Sequence, residues 1–448
     1  MTLRRALALS LAFSTLIAAT GAVAEDAPAA PAAIAGLPAA ASPEAVGFDS
    51  ERLLRLDRGM ADVVDTGRVA GMTFLLARHG QVVDFKAIGK ARLSDATPMP
   101  KDEIFRLYSM SKPITGVAMM ILFEEGKWRL DDPVTRYVPE FKDLKVLVKQ
   151  NPDGTLVTEP LKRPPTMREL MSHTAGFGYG LRNDNPVDKL YREKQVLGSK
   201  GLQQMIDRTA QIPLKFQPGT DWAYSSAVDI QGYIVEKLSG ESLGQFMDEH
   251  IFKPLGMKDT GFYAAGPERA ARLAALYVWS PSDHKLIEPK ALFGFPMPDY
   301  TQPPMMESGG GGLVGTTADY ARFCQMLANK GELDGVRILS PASVELMDTN
   351  VIPKDVLVSN NGTSEAFFND AVGFGLDFEV VRDPRRAGSL EGKNTMSWGG
   401  AAGTWFWVDP TNDVIFVGMI QRLGGTGGDD LGTMARTLTY QALTHPEK

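Results

Sequence analysis

The sequence is poor in the residues that most often carry metal and redox chemistry. A single cysteine, Cys324, occurs among 448 residues, so no intrachain disulfide can form and no cysteine-ligated zinc or iron–sulfur site can be built. It lies in Tyr320-Ala321-Arg322-Phe323-Cys324-Gln325-Met326-Leu327, an amphipathic helical run, and a buried core thiol is expected. The five histidines, His79, His173, His250, His284 and His445, are scattered and form no H-E-x-x-H pair, which argues against a metal hydrolase. No metal or cofactor is expected. Excess positive charge is missing too: 47 basic residues face 54 acidic ones, a net charge of -7, so no global field attracts nucleic acid or anionic lipid. No repeat of solenoid or propeller period is found. What is present, 44% hydrophobic and 23% charged residues, is ordinary for a globular chain and excludes a disordered or collagen-like one. The length suggests two domains, or one large domain with insertions.

The first 24 residues carry Arg4 and Arg5, an apolar run from Ala6 to Ala19, and then Ala22-Val23-Ala24, the pattern of a secretory signal with a small-residue cleavage site. The run is too short for a membrane anchor, and no cysteine follows it that could be lipidated. Cleavage after Ala24 would release a periplasmic or secreted, more acidic product starting at Glu25, with no stable membrane anchor. The arginine pair leaves twin-arginine export open.

Residues 25–46 are rich in Ala and Pro and read as a flexible linker. The spacing of Leu53, Leu54, Leu56, Met60, Val63 and Val64 predicts a helix from Asp49 to Asp65. Met72 to Ala77 and Val82 to Ile88 read as a β-hairpin around Arg78-His79-Gly80-Gln81. Ile104 to Leu107 leads into Ser109 and a helix from about Pro113 to Glu125. Residues 127–300 hold many prolines, helical stretches such as Asp229 to Leu238 and few strand signals. Another helix is expected from Thr317 to Asn329, then strands at Gly373 to Val380, Thr404 to Val408 and Val414 to Ile420. A last helix would bury Leu431, Met434, Leu438 and Ala442. The expected architecture is a sheet lobe from 47–126 and 301–448 and a mainly helical lobe from 127–300, with a small-molecule site in the cleft between them.

Three motifs are set aside. Gly240-Glu241-Ser242-Leu243-Gly244 matches the G-x-S-x-G nucleophile pattern, but a helix precedes it where a strand is required, and Ser242 with Gln245 reads as a capping box. Gly310-x-Gly312-x-x-Gly315 follows no buried strand, so a close backbone approach or tight turn is the expected use of its glycines rather than dinucleotide binding. Asn361-Gly362-Thr363 is a glycosylation sequon of little meaning in a bacterial host.

Two S-x-x-K sequences occur. Ser282-Asp283-His284-Lys285 follows Pro281 in a polar turn with no helix after it and reads as a solvated loop. Ser109-Met110-Ser111-Lys112 stands where an extended segment enters a helix, which places Ser109 and Lys112 one turn apart on one face. A serine hydroxyl is a weak nucleophile until a neighbouring base takes its proton, and a lysine amine can be that base if burial and the helix dipole favour its neutral form. The four residues alone leave a capping serine and a surface lysine equally open. Trp222-Ala223-Tyr224-Ser225-Ser226 puts a tyrosine in a turn before a helix, as a proton-sharing phenol or as a core aromatic. Trp398-Gly399-Gly400-Ala401 sets two glycines beside a strand, where backbone amides can approach a ligand as an oxyanion hole requires.

Taken together, Ser109-Met110-Ser111-Lys112-Pro113-Ile114-Thr115, His173-Thr174-Ala175-Gly176, Tyr224-Ser225-Ser226 and Trp398-Gly399-Gly400 resemble the serine β-lactamase-related hydrolases. Among these the sequence is most similar to family VIII carboxylesterases, over about residues 47 to 440. The resemblance implies an α+β fold, an antiparallel sheet flanked by the N- and C-terminal helices with a mainly helical lobe. It implies Ser109 as acylated nucleophile, Lys112 as its proton acceptor and Tyr224 as the partner acid/base. The amides of Ser109 and Ala401 would form the oxyanion hole; Trp398, Gly399, Gly400 and Ser226 would line the substrate site, Ser226 standing where class C β-lactamases have asparagine. His173 would be structural. The chain departs from the family at Trp398, where β-lactamases and D,D-peptidases carry the lysine of K-T-G that holds a substrate carboxylate. An indole has no charge to offer, so uncharged small-molecule esters with short or compact acyl groups are the expected substrates. A β-lactamase or D-amino-acid peptidase, and a non-catalytic peptidoglycan or β-lactam binder, are the competing readings.

Overall fold

The computed structural model describes residues 33–181, 185–292, 295–358, 370–424 and 431–445. The expected signal peptide and the Asn361 sequon lie outside these residues. Pro31–Lys448 clusters as one compact unit.

Strand patterns at both ends of the chain assemble one antiparallel sheet. Strands β1 (Gly71–Arg78) and β2 (Gln81–Gly89) form the expected hairpin, turning through His79 and Gly80, both at positive φ. The middle of the chain adds the hairpins β3 (Lys145–Gln150)–β4 (Leu156–Pro160) and β5 (Tyr277–Ser280)–β6 (Lys285–Ile287). From the C-terminal part come β7 (Val372–Phe374), β8 (Glu379–Val381), β9 (Met396–Gly399), β10 (Thr404–Asp409) and β11 (Val414–Met419). The seven-stranded sheet runs β7-β8-β9-β10-β11-β1-β2.

Alternation along the strands sorts side chains onto two faces. Phe74 and Leu76 of β1, Trp405 and Trp407 of β10 and Phe416 of β11 meet α1 (Ser50–Asp65) and the chain's last helix, Leu431–Tyr440, in one core. Leu75, Phe406, Val408 and Val417 point the other way, into a larger core that holds α2 (Ser111–Glu124), α3 (Pro186–Glu193), α4 (Leu202–Thr209), α5 (Ala227–Ser239) and α6 (Thr317–Ala328). This is the expected antiparallel sheet with terminal helices on one face and helical material on the other. Cys324 is buried in α6. The terminal helix Leu431–Tyr440 becomes α7.

Four expectations need correction. Residues 33–46 are not a free linker: Leu37 is buried, Ala40 N–H donates to the Val82 carbonyl, and Glu44–Val46 forms a 3-10 turn, because the apolar residues of this stretch cover the edge strand β2. The strand expected over Gly373 to Val380 is the hairpin β7–β8, broken at Asp377, which holds a positive φ of 66°. The 127–300 segment contains antiparallel strand pairs besides its helices, and most of its buried residues share one core with the sheet rather than closing a separate one. The helix after Ser109 begins at Ser111, so Pro113 lies within its first turn, where its missing N–H costs nothing.

The discounted motifs behave as ordinary structure. Ser242 caps a helix by accepting from Gln245 N–H, and Ser282 to Lys285 sits at the β5–β6 turn.

Candidate active site

Ser109 occupies a 3-10 turn, Tyr108–Met110, between an extended pair and α2. Tyr108 before it takes a left-handed φ of 45°, a conformation that bulky side chains avoid and that persists only where the surroundings enforce it. Here they do. Leu107 N–H donates to the Leu313 carbonyl, Thr404 Oγ1 donates to the Leu107 carbonyl, and Tyr320 OH donates to the Met110 carbonyl.

The glycine run beyond the helical lobe docks against the start of α2. Ser111 Oγ accepts from Leu313 N–H, and Thr115 Oγ1 donates to the Gly309 carbonyl at 2.8 Å. A side chain on Gly309 would lie 2.7 Å from the Val228 carbonyl oxygen, so the run is the close backbone approach the sequence suggested.

Lys112 is fully buried. Its Nζ reaches Ser109 Oγ at 3.2 Å, Tyr179 OH at 3.2 Å and the Gly310 carbonyl at 2.5 Å. These are three acceptors for the three hydrogens of an ammonium. Gly310 O can only accept, so a neutral amine keeps one N–H on it and has its lone pair to offer to Ser109 or a phenol. Tyr224 OH stands 2.6 Å from Ser109 Oγ, and its ring lies 4.6 Å from Lys112 Nζ. Serine and lysine from one stretch and tyrosine from another, distant one therefore converge on one oxygen.

Tyr179 carried no signal in the sequence. It sits in a loop between Gly178 and Gly180, with its backbone N–H and that of Gly180 both donating to Asp188 Oδ1 at 2.8 Å. Burial holds its phenol well above the usual range, helped by the charge of Asp229, so it stays a neutral partner for Lys112.

His173 supports the Tyr224 turn from behind. Its carbonyl accepts from Ala223 N–H, its Nδ1 pairs with Ser225 Oγ at 2.9 Å, and its ring lies 5.1 Å from that of Tyr224. Burial, then the Lys112 charge, keeps the imidazole neutral, in keeping with a structural residue.

Trp398, at the end of β9, packs its ring 5.6 Å from Tyr224 and 5.4 Å from Phe374. With Trp222 these rings make an apolar wall beside Ser109. Gly399 pairs with Trp405 in the sheet. Gly400 is forced: any β-carbon there would collide with the Leu107 carbonyl oxygen and Thr404 Oγ1. Ala401 follows on the turn closed by Gly403 N–H to the Gly400 carbonyl, and it is exposed. Ser226 is not brought to this surface. It is fully buried, its hydroxyl donates to Tyr191 OH at 3.4 Å, and its backbone starts α5. The family resemblance placed it beside the substrate, where class C β-lactamases have asparagine, and the helix entry turns it inward.

This geometry, a buried lysine and a phenol on one serine hydroxyl over an antiparallel sheet, defines a serine hydrolase of the β-lactamase/transpeptidase-like fold. The chain belongs to the beta-lactamase family, whose model matches residues 56–441. It is 32% identical over 386 residues to Esterase EstB of Burkholderia gladioli, covering 82% of this chain and 90% of that protein. It is 28% identical over 399 residues to the lovastatin esterase of Penicillium rubens, covering 86% and 97%. The structure of EstCE1, a hydrolase with promiscuous acyltransferase activity, superposes with a TM-score of 0.73 at 28% identity, covering 87% of this chain and 99% of that one. The protein is an enzyme of this serine hydrolase family.

Proposed function

We propose that the protein is a carboxylesterase that cleaves uncharged esters with short or compact acyl groups through an acyl-enzyme on Ser109. The observation that carries this reading is the pairing of the Ser109–Lys112–Tyr224 convergence with an indole, not an ammonium, at position 398. In the first step Ser109 Oγ attacks the ester carbonyl carbon, and the coupled Lys112–Tyr224 pair takes the hydroxyl proton. The oxyanion rests on the amides of Ser109 and Ala401; the seat of Gly400 against Leu107, which holds the Ala401 turn beside the nucleophile's strand, supports this assignment. The pair then protonates the departing alcohol. Water hydrolyses the acyl-enzyme with the same groups in reverse roles. The aromatic wall favours apolar acyl or alcohol groups, and without a cation at position 398 a substrate carboxylate gains nothing there. The names of EstB and the lovastatin esterase support the esterase reading.

The test compares p-nitrophenyl acetate, butyrate and octanoate with nitrocefin, using the mature protein and Ser109→Ala. Preferred short esters, with turnover lost in the variant, are expected. Strong nitrocefin turnover with negligible ester hydrolysis would overturn the substrate assignment, and an active Ser109→Ala would overturn the nucleophile.

A further inference from the structure

We infer that Asp229 is a positioning residue for Lys112, acting through the Gly309–Gly312 turn: it anchors the residue whose carbonyl orients the amine and sets a buried carboxylate beside it. The inference rests on the proposed role of Lys112 as proton acceptor. Asp229 lies in the first turn of α5 and is fully buried. Its Oδ1 accepts from Ser308 Oγ at 2.5 Å and from Gly310 N–H at 3.1 Å. The same residue, Gly310, presents its carbonyl to Lys112 Nζ at 2.5 Å. One peptide segment is thus gripped by the carboxylate on its N–H side and by the lysine on its C=O side. The glycine is required, because a β-carbon at 310 would come within 2.7 Å of Asp229 Oδ2 and 2.9 Å of Tyr179 OH.

The second oxygen, Oδ2, is buried with no hydrogen-bond partner among the described residues. A structural anchor alone needs one oxygen; an amide would serve as well. A carboxylate in this place also supplies charge, which favours the ammonium form of a neighbouring lysine. Burial pushes the Asp229 carboxyl up, while the Ser308 hydrogen bond and the Lys112 charge act against that push. The other titratable groups facing Lys112 are Tyr179, Tyr224, His173 and Asp377. Asp377 is the competing acid, and burial drives its carboxyl well up; what sets Asp229 apart is its hold on Gly310, whose carbonyl Lys112 contacts. His173 is neutral for the same physical reason.

The test is the pH profile of kcat/KM for p-nitrophenyl butyrate in wild type, Asp229→Asn, Ser308→Ala and Ser109→Ala. Asp229→Asn keeps an oxygen for Ser308 and Gly310 and removes the charge. Its acid limb is expected to move to lower pH by about half to one unit, because a negative charge beside the site is removed. Ser308→Ala, which weakens the ionised form of Asp229, moves the limb the same way by less. It carries the test if Asp229→Asn does not fold. A profile that coincides with wild type, or a uniform loss at every pH with no displacement, overturns the inference. If Ser109→Ala is active, the underlying reading has failed; if Ser109→Ala is inactive and the limb stays in place, only the role of Asp229 has failed.

Discussion

The hydroxyl of Tyr224 lies 2.6 Å from the Oγ of Ser109, although 115 positions of chain separate them. The closure is built by a loop stack behind the tyrosine. Gly219 N–H donates to the Thr174 carbonyl, Ala223 N–H to the His173 carbonyl, and Ser226 N–H to the Gly178 carbonyl. The Tyr224 turn is thereby pinned to the same loop that delivers Tyr179. Both phenols approach Lys112, but only Tyr224 reaches the serine oxygen.

That difference separates the two tyrosines in kinetics. On the proposed mechanism Tyr224→Phe removes a group that exchanges a proton with the reacting oxygen and should lower kcat/KM for short esters by about a hundredfold or more. Tyr179→Phe removes only an acceptor for Lys112, and a loss of about tenfold is expected, confined to one neutral hydrogen bond. Steady-state kinetics on p-nitrophenyl butyrate checks the order; equal losses would mean that Tyr179 shares in proton transfer.

Gly400 offers a steric test of the turn beside the proposed nucleophile. Gly400→Ala must push the turn off Leu107, at a cost of about 1–3 kcal/mol typical of overpacking, and should lower kcat more than it raises KM. Gly399→Ala is the control, because a β-carbon there meets only the Thr404 carbonyl oxygen, at 3.3 Å. Urea denaturation with parallel kinetics distinguishes them. A Gly400→Ala enzyme as stable and active as wild type would show that the contact with Leu107 is not needed.

The parts of this site written locally were legible in the sequence. Ser109 and Lys112 lie one helical turn apart at a strand-to-helix junction, and the short, almost wholly apolar runs of β1, β10 and β11 announced the sheet. Contacts made by loops were not. Tyr179 stands among glycines with no periodicity, and nothing near Asp229 in the chain indicates that Ser308 and Gly310 will fold onto it. Ser226 was placed at the substrate by its match to the family's asparagine position, while the start of α5 turns its side chain into the core. The broken strand at Asp377 was missed because the apolar residues on both sides continue the pattern across a turn. Residues 33–46 were read by composition, which cannot see that Leu37 finds a place under an edge strand.

Glu103 predicts a pH-dependent stability unrelated to catalysis. It is 1% exposed, with Arg92 Nη2 3.9 Å from its carboxylate, and burial raises its carboxyl to about 7 from an ordinary 4.5. The folded state therefore holds a proton that the unfolded chain has released across this interval, so stability contributed by the neutral form is lost as pH rises from 4.5 to 7. Glu103→Gln stays neutral throughout. The difference in Tm, variant minus wild type, should grow with pH over that window and level off above it; a difference that does not change with pH would count against the buried acid.

On the proposed reading, the identity of residue 398 decides between neutral and anionic substrates. Trp398→Lys places an ammonium at the end of β9, beside the aromatic wall, and also removes a ring that packs on Tyr224 and Phe374. Ester hydrolysis should therefore fall for packing reasons alone, so an absolute rate is a poor measure of the charge. The ratio of kcat/KM for nitrocefin, which bears a carboxylate, to that for p-nitrophenyl butyrate, which bears none, cancels the shared loss. It should rise about tenfold in Trp398→Lys and stay near wild type in Trp398→Phe, which removes the indole without adding charge. Because the new attraction is between charges at a partly exposed position, the gain should shrink as ionic strength rises. A ratio unchanged by the lysine would mean that the substrate's carboxylate does not approach this strand, and that specificity is set by the aromatic wall instead.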